Sequence, residues 1–276
     1  MTTAPANRPA PVLLIMAAIA LAVLLLLVPL AGVFTEALRG GLLRFAAALG
    51  DPDALAAIRL TAIVAAISVA VNTVFGTAAA WCLTRQDFRG RDQLLTLVEL
   101  PLSISPVISG LVWILLVGAQ GWFGPALRRA GIEIVFALPG IVLATVFVTL
   151  PFVVRPLIPL MRELGREQEE AAAMLGAGFL NTFFRVTLPE IRWGLLSGVL
   201  LCNARAMGEF GAVSVVSGHI PGITETMPLR IESLYNEYQA PAAFAMAALL
   251  ASLAIVTLAA KALLEWRTGR RFGHHV

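Results

Sequence analysis

EAAAMLGAGFLNTFFRVTLP, residues Glu170 to Pro189, is the largest polar interruption in a chain that is otherwise a succession of long apolar runs. From Arg166 to Leu175 the residues are mostly Glu, Gln, Ala, Met and Leu, all good helix formers. Glu167, Glu169 and Glu170 lie near the start of that run, where negative charge suits a helix N-terminus. Gly176 and Gly178 punctuate it, since a glycine after the last helical turn takes a positive φ at little steric cost and lets the chain reverse. A second short helix can follow. Phe179, Phe183, Phe184 and Val186 give it an apolar surface beside Arg185, and Pro189 marks a boundary before the next apolar run.

Working outward, hydrophobic residues make up 59% of the 276 and charged residues 13%. A helix needs about 20 mostly apolar residues to cross a bilayer, so this chain has room for several spans and little else. An all-α integral membrane protein in contact with membrane lipid follows, as a single transmembrane domain over residues 1–276. The net charge of +3 does not imply a nucleic-acid partner, because the arginines are scattered over short loops and form no stripe or block. Cys82 and Cys202 fall inside separate apolar runs with no CxxC spacing and read as small core residues, with neither disulfide nor metal.

Taken in order, residues 1–11 read as a disordered tail. An anchor helix over 12–34 is too long for a signal-peptide core. A first loop over 35–54 contains a short interfacial helix at 42–49. The second span covers 55–83, and RQDFRGRD, Arg85 to Asp92, is a charged turn. The third span, 94–117, opens with ELPLSISPVISGL, in which Pro101 and Pro106 interrupt the backbone ladder and Ser103, Ser105 and Ser109 add polarity. A fourth span covers 134–160, a fifth 193–216, and a sixth 241–264 after an external loop over 218–240. The core helices thus occupy 55–264, with the polar loop at 162–190 between the fourth and fifth.

Basic residues orient this layout. Eleven of the 20 (Arg8, Arg85, Arg89, Arg91, Arg162, Arg166, Arg185, Arg192, Arg267, Arg270 and Arg271) fall on one side, and five (Arg39, Arg44, Arg128, Arg129 and Arg230) on the other. The positive-inside rule then places both termini and the polar loop in the cytoplasm.

Inside the fifth span, NARAMGEFGAVSVVSG (Asn203 to Gly218) carries Arg205 and Glu209, four apart and on one helix face. An unpaired charge in hydrocarbon is costly, so the two pair with each other and face the bundle interior, a partner or water. Two roles stay open for them: positive potential along an anion path, or a structural pair holding helices together. Gly208, Gly211 and Ser214, at spacings of three, let another backbone approach closely. The run from Pro101 to Gly110 is a second candidate pore lining, since a broken helix frees backbone groups that a cavity or partner must satisfy; a kink used only for packing is the other reading of Ser103, Ser105 and Ser109.

Glu170-Ala171-Ala172, three residues, Gly176, nine residues, then Val186-x-Leu188-Pro189 resembles the EAA loop of binding-protein-dependent ABC importer permeases, with Val186 where the family pattern has Ile. The resemblance implies six transmembrane helices in the type I importer permease fold. It also implies that this loop sits in a groove of a separate ATPase. Together with LPLSISPVISGL and LCNARAMGEFGAVSVVSGHIPGITETMPLRIESLYNEY, it makes the chain similar to oxyanion-importing permeases, most of all the W-type subunits of sulfate/thiosulfate importers. That family implies a heterodimer with a T-type permease, two ATPase subunits and a periplasmic sulfate-binding protein, in the bacterial inner membrane. ATP and Mg would sit on the ATPase, with no cofactor on this chain. Molybdate or another oxyanion is an alternative cargo. The chain lacks G-x-x-x-x-G-K-[ST], GxSxG and HExxH, so neither the ATPase nor an intramembrane hydrolase fits it. An ion-coupled secondary transporter or a structural membrane subunit are the readings from other classes.

Overall fold

A computed structural model describes residues 9–272, with side chains over 14–266. Of the tail expected to be disordered over 1–11, residues 1–8 lie outside the described residues and 9–11 instead form the start of a helix. The end of the chain after 272, with His274 and His275, and the side chains of Arg267, Arg270 and Arg271 also lie outside them. Among the described residues all regular structure is helical.

The first helix runs from α1 (Pro9–Ala22) through a π turn (Val23–Leu27) into α2 (Val28–Leu38). It therefore extends four residues past the expected end at Phe34. The short helix expected at 42–49 is present as α3 (Leu42–Leu49), and α4 (Pro52–Arg85) is the longest among the described residues, with Asp51 accepting hydrogen bonds from the Asp53 and Ala54 amides at its start. The third span is not straight. α5 (Arg91–Ser103) and α6 (Pro106–Val117) meet at 112° across Ile104 and Ser105, because Pro106 bars its predecessor from the helical region. After α7 (Gly124–Arg129), α8 (Leu138–Thr149) and α9 (Pro151–Leu164) form one span.

The polar loop folds as α10 (Glu167–Met174) and α11 (Phe179–Thr182). Pro189 does not end the second helix, contrary to the sequence reading. α11 passes through a π turn (Phe183–Thr187) straight into α12 (Leu188–Met207), so residues 179–207 are one continuous helical rod. The same device occurs in the first helix, where the π turn at Val23–Leu27 immediately precedes Val28-Pro29. Proline lacks an N–H and its ring crowds the carbonyl four residues back, and a widened turn ahead of it relieves that clash without breaking the helix.

The expected fifth span, 193–216, is also divided. α12 stops at Met207, residues 208–210 leave the helix, and α13 (Gly211–Val216) resumes. The segment 218–240, read as an external loop, instead contains α14 (Met227–Asn236), a helix packed against α4 and the last helix, α15 (Ala240–Phe272).

Among the described residues four helices are individually long and apolar enough to cross a membrane, or five crossings if the bent α5–α6 pair is one span. α12, at 20 residues, carries Glu190, Arg192 and Arg205 and is not among these. Three apolar clusters hold the body together. Leu83, Leu157, Met161 and Ile191 join α4, α9 and α12; Val64, Ile141, Val213 and Leu229 join α4, α8, α13 and α14; Ala54, Met227 and Met246 join α4, α14 and α15. α6 and α13 touch backbone to backbone: a Cβ on Gly110 would stand 2.7 Å from the Ala212 carbonyl oxygen, and one on Gly211 2.9 Å from the Pro106 Cβ. The close approach read from the glycine spacing is therefore a seam within this chain.

Candidate functional site

Two regions answer to the candidate residues. The first is the hairpin of α10 and α11 beside the C-terminal end of α4. Glu170, Ala171, Gly176 and Pro189 are exposed, and Ala172, Val186 and Leu188 half-buried. Gly176 reverses the chain at φ 84°, and at the apex Met174 is 89% and Leu175 90% exposed. Two neighbouring apolar side chains therefore stand uncovered at the tip of the hairpin.

The base of the hairpin is fixed by charge. The carboxylate of Glu169 accepts from Arg85 Nε at 3.0 Å and, through its other oxygen, from Thr187 Oγ1 at 2.8 Å. Arg85, its side chain 5% exposed, also donates from Nη1 to the Met161 carbonyl at 2.7 Å. One arginine at the end of α4 thus ties together α9, α10 and the π turn of the rod. Two further arginines satisfy carbonyls of the last turn of α4, Arg91 reaching Leu83 at 2.7 Å and Arg166 reaching Thr84 at 3.1 Å. Nearby, the Glu190 carboxyl is held above the usual carboxylate range, by burial first and by the Glu169 charge second, with Arg85 opposing. Trp81 meets Phe179 edge to face at 5.0 Å, and Phe179, Phe183 and Leu188 wall an apolar groove of about 680 Å³ against α4.

The second region is the α12–α13 break. Glu209 lies just beyond the end of α12, not on its face, yet Oε2 stands 2.6 Å from Arg205 Nη1, as an ion pair out of line for a hydrogen bond. Glu209 Oε1 accepts from the Ala212 amide at 2.9 Å and so serves the start of α13. Its side chain is fully buried, whereas that of Arg205 is 31% exposed. The serines separate. Ser109 is buried and bonds back to the Ser105 carbonyl, a kink and packing role, while Ser103 and Ser105 are exposed at the bend between α5 and α6.

An exposed helical hairpin, anchored between α9 and α12 of the helical bundle and carrying the Glu-Ala-Ala and Gly spacing, agrees with comparison to known proteins. The family described as "Binding-protein-dependent transport system inner membrane component" matches residues 72–270. The chain belongs to this family. The permease is 54% identical over 263 residues to the sulfate transport system permease protein CysW of Synechocystis sp. (strain PCC 6803), covering 95% of this chain and 94% of the relative. It is 51% identical over 243 residues, 88% of this chain and 84% of the relative, to the CysW protein of Escherichia coli (strain K12). To the CysT permease of Salmonella typhimurium it is 36% identical over 252 residues, 91% of each chain. A crystal structure of a bacterial alginate ABC transporter bound to an alginate-loaded periplasmic protein superposes with a TM-score of 0.77 over 94% of both chains, at 17% identity, which shows the fold alone. The permease is a transport subunit, not an enzyme.

Several residues that organise the permease escaped the sequence reading. Arg85 was placed in a turn, and its partners lie 76 and 84 positions away. Arg230, read as a loop residue, is nearly buried on α14 with Glu225 at 3.4 Å and Asp51 and Asp53 each at 3.6 Å. Asn72, inside α4, donates to Thr149 Oγ1 at 2.8 Å and to the Val146 carbonyl at 3.2 Å. A lone Asn in an apolar run is the unused signal that could have found it, since a polar side chain buried there needs partners.

Proposed function

We propose that the chain is one of two permease subunits of an ATP-driven sulfate/thiosulfate importer. The observation that carries this reading is the gradation of identity: 54% to a protein named as a CysW sulfate permease against 36% to one named as CysT, both over nearly the full length. The partner is then a T-type permease, with which this chain encloses the path. Two copies of an ATPase, holding ATP and Mg, lie on the cytoplasmic side, and a periplasmic sulfate-binding protein delivers cargo.

The Arg85 end of the bundle and both termini face the cytoplasm in this reading, in line with the excess of arginine there. Glu170, Ala171, Ala172 and Gly176 present the α10–α11 apex to the ATPase, and Val186, Leu188 and Pro189 carry its displacement into α12. Arg205, held by Glu209 at the far end of the same rod, supplies positive potential to the path, with Ser103 and Ser105 at the bend of the third span. Anchoring of the hairpin base through Arg85 and Glu169, with the apex left apolar and uncovered, supports this division of labour.

The test is uptake of labelled sulfate into vesicles holding the four kinds of subunit, with and without ATP. ATP-dependent uptake is the expected result. Uptake of molybdate with sulfate ignored would retain the importer and reassign its cargo, and uptake driven by an ion gradient without ATP would overturn the reading.

A further inference from the structure

A cavity of about 350 Å³ opens between α9, α12 and α15, on the other side of α12 from the aromatic groove. Its lining includes Arg155, Ser197, Leu201, Lys261 and Glu265. Arg155 lies nine residues inside the Leu164 end of its span, where hydrocarbon makes an unmatched charge costly; Lys261 and Glu265 lie five residues and one from the Trp266 end of theirs. Lys261 and Glu265 are committed to each other at 2.6 Å, and the Ser197 hydroxyl donates to the same Glu265 oxygen at 3.1 Å. Arg155 is different. It is exposed and has no hydrogen-bond or ion-pair partner among the described residues, and Glu99, which borders an adjoining crevice with it, makes no ion pair to it.

The position of the cavity gives that guanidinium a use. Gly198 and Leu201 line the cavity, and Arg205 follows at i+7 and i+4 from them, on the same stripe of α12. Ser197 lies about 13 Å along the helix from Leu188, and Arg205 about 12 Å beyond it. We infer that Arg155, Ser197 and Lys261 form a second oxyanion site on the path, between Arg205 and the Arg85 end of the permease. This inference rests on the oxyanion reading above.

The cavity has room for about twelve waters at about 30 Å³ each, so a tetrahedral dianion enters with part of its hydration intact. Arg155 offers the planar, fixed fork that suits such an ion. Glu265 already occupies Lys261 and Ser197, and an arriving anion competes with that carboxylate for both. Its departure restores the Lys261–Glu265 pair. A path needs sites that are favourable to enter and easy to leave, and an internal carboxylate that reclaims its partners supplies the second half.

The experiment uses the assembled importer in vesicles and measures sulfate uptake, binding-protein-stimulated ATP hydrolysis and co-purification of the subunits. Arg155→Gln is expected to lower uptake about tenfold, the effect of losing one charge-assisted contact to the ion. Hydrolysis and assembly stay near the unmodified level, Arg155→Lys, which keeps the charge without the fork, recovers only part of the uptake, and Lys261→Gln gives a smaller loss. Unchanged uptake in Arg155→Gln would overturn the site and leave the importer intact. Loss of assembly or hydrolysis in proportion to uptake would also overturn it, since Arg155 would then hold structure. If the unmodified complex takes up no oxyanion, the reading beneath the inference fails first, and that control separates the two.

Discussion

Arg85 Nε and Glu169 Oε2 meet at 3.0 Å across 84 positions of sequence, and both side chains are largely withdrawn from solvent. Removing one partner of such a pair leaves the other charged, shielded and unmatched. Arg85→Ala also frees the Met161 carbonyl. It is expected to destabilise the hairpin base by about 3 kcal/mol, read as a lower thermal midpoint of the purified complex. Glu169→Gln keeps an acceptor for Thr187 and should cost less. An unchanged midpoint in Arg85→Ala would show that the pair contributes nothing net.

Gly176 and Gly178 look interchangeable in sequence but are not. A Cβ at either position meets open space within 4 Å, so crowding distinguishes nothing. Gly176 sits at φ 84°, whereas Gly178 sits at φ −72° and ψ 162°, an extended conformation open to any residue. Gly176→Ala should cost about 1–2 kcal/mol and weaken stimulation of the ATPase, and Gly178→Ala should do neither. Equal effects on stimulated ATP hydrolysis would place the importance of both in contacts with the partner.

Arg205 and Glu209 can be told apart by substitution. Glu209→Gln retains an oxygen for the Ala212 amide and loses only the ion pair, while Arg205→Met leaves a fully buried carboxylate alone. With Arg205 on the path, Arg205→Met abolishes sulfate uptake while the subunits still co-purify, and Glu209→Gln retains most of it. Normal uptake in Arg205→Met would make the pair a structural one.

Glu190 sets a pH dependence. Burial and the Glu169 charge make the folded chain hold the Glu190 proton more tightly than the unfolded chain does. The contribution of this group is therefore full below the ordinary carboxyl range and is lost as pH rises through the raised value. Glu190→Gln, which cannot ionise, should raise the thermal midpoint at neutral and alkaline pH. The gain should vanish in acid. A gain independent of pH would point to packing instead.

The spans and the hairpin were legible because each depends on local chemistry: about 20 apolar residues for a crossing, and Ala and Glu followed by glycine for a helix that turns. Pro189 misled because proline usually ends a helix, and its accommodation by a π turn is a compromise of geometry that no propensity records. α14 was missed for another reason. MPLRIESLYN is too polar to announce a packed helix, and Arg230 is tolerable in the body only because Asp51 and Asp53 arrive from the start of α4. The role of Arg85 was equally invisible, since nothing in a charged turn names a carboxylate 84 residues on.

The continuity of residues 179–207 makes the hairpin and the fifth span a single lever. At 1.5 Å per residue it is about 43 Å long, and a tilt of about ten degrees about Thr187 would swing Arg205, about 27 Å away, by about 5 Å. The fulcrum is where Thr187 is bound to Glu169, much nearer the Phe179 end than the Arg205 end. With its short arm at the hairpin and its long arm at the charge pair, the rod trades force for distance: a small push on the apex becomes a larger excursion at Arg205.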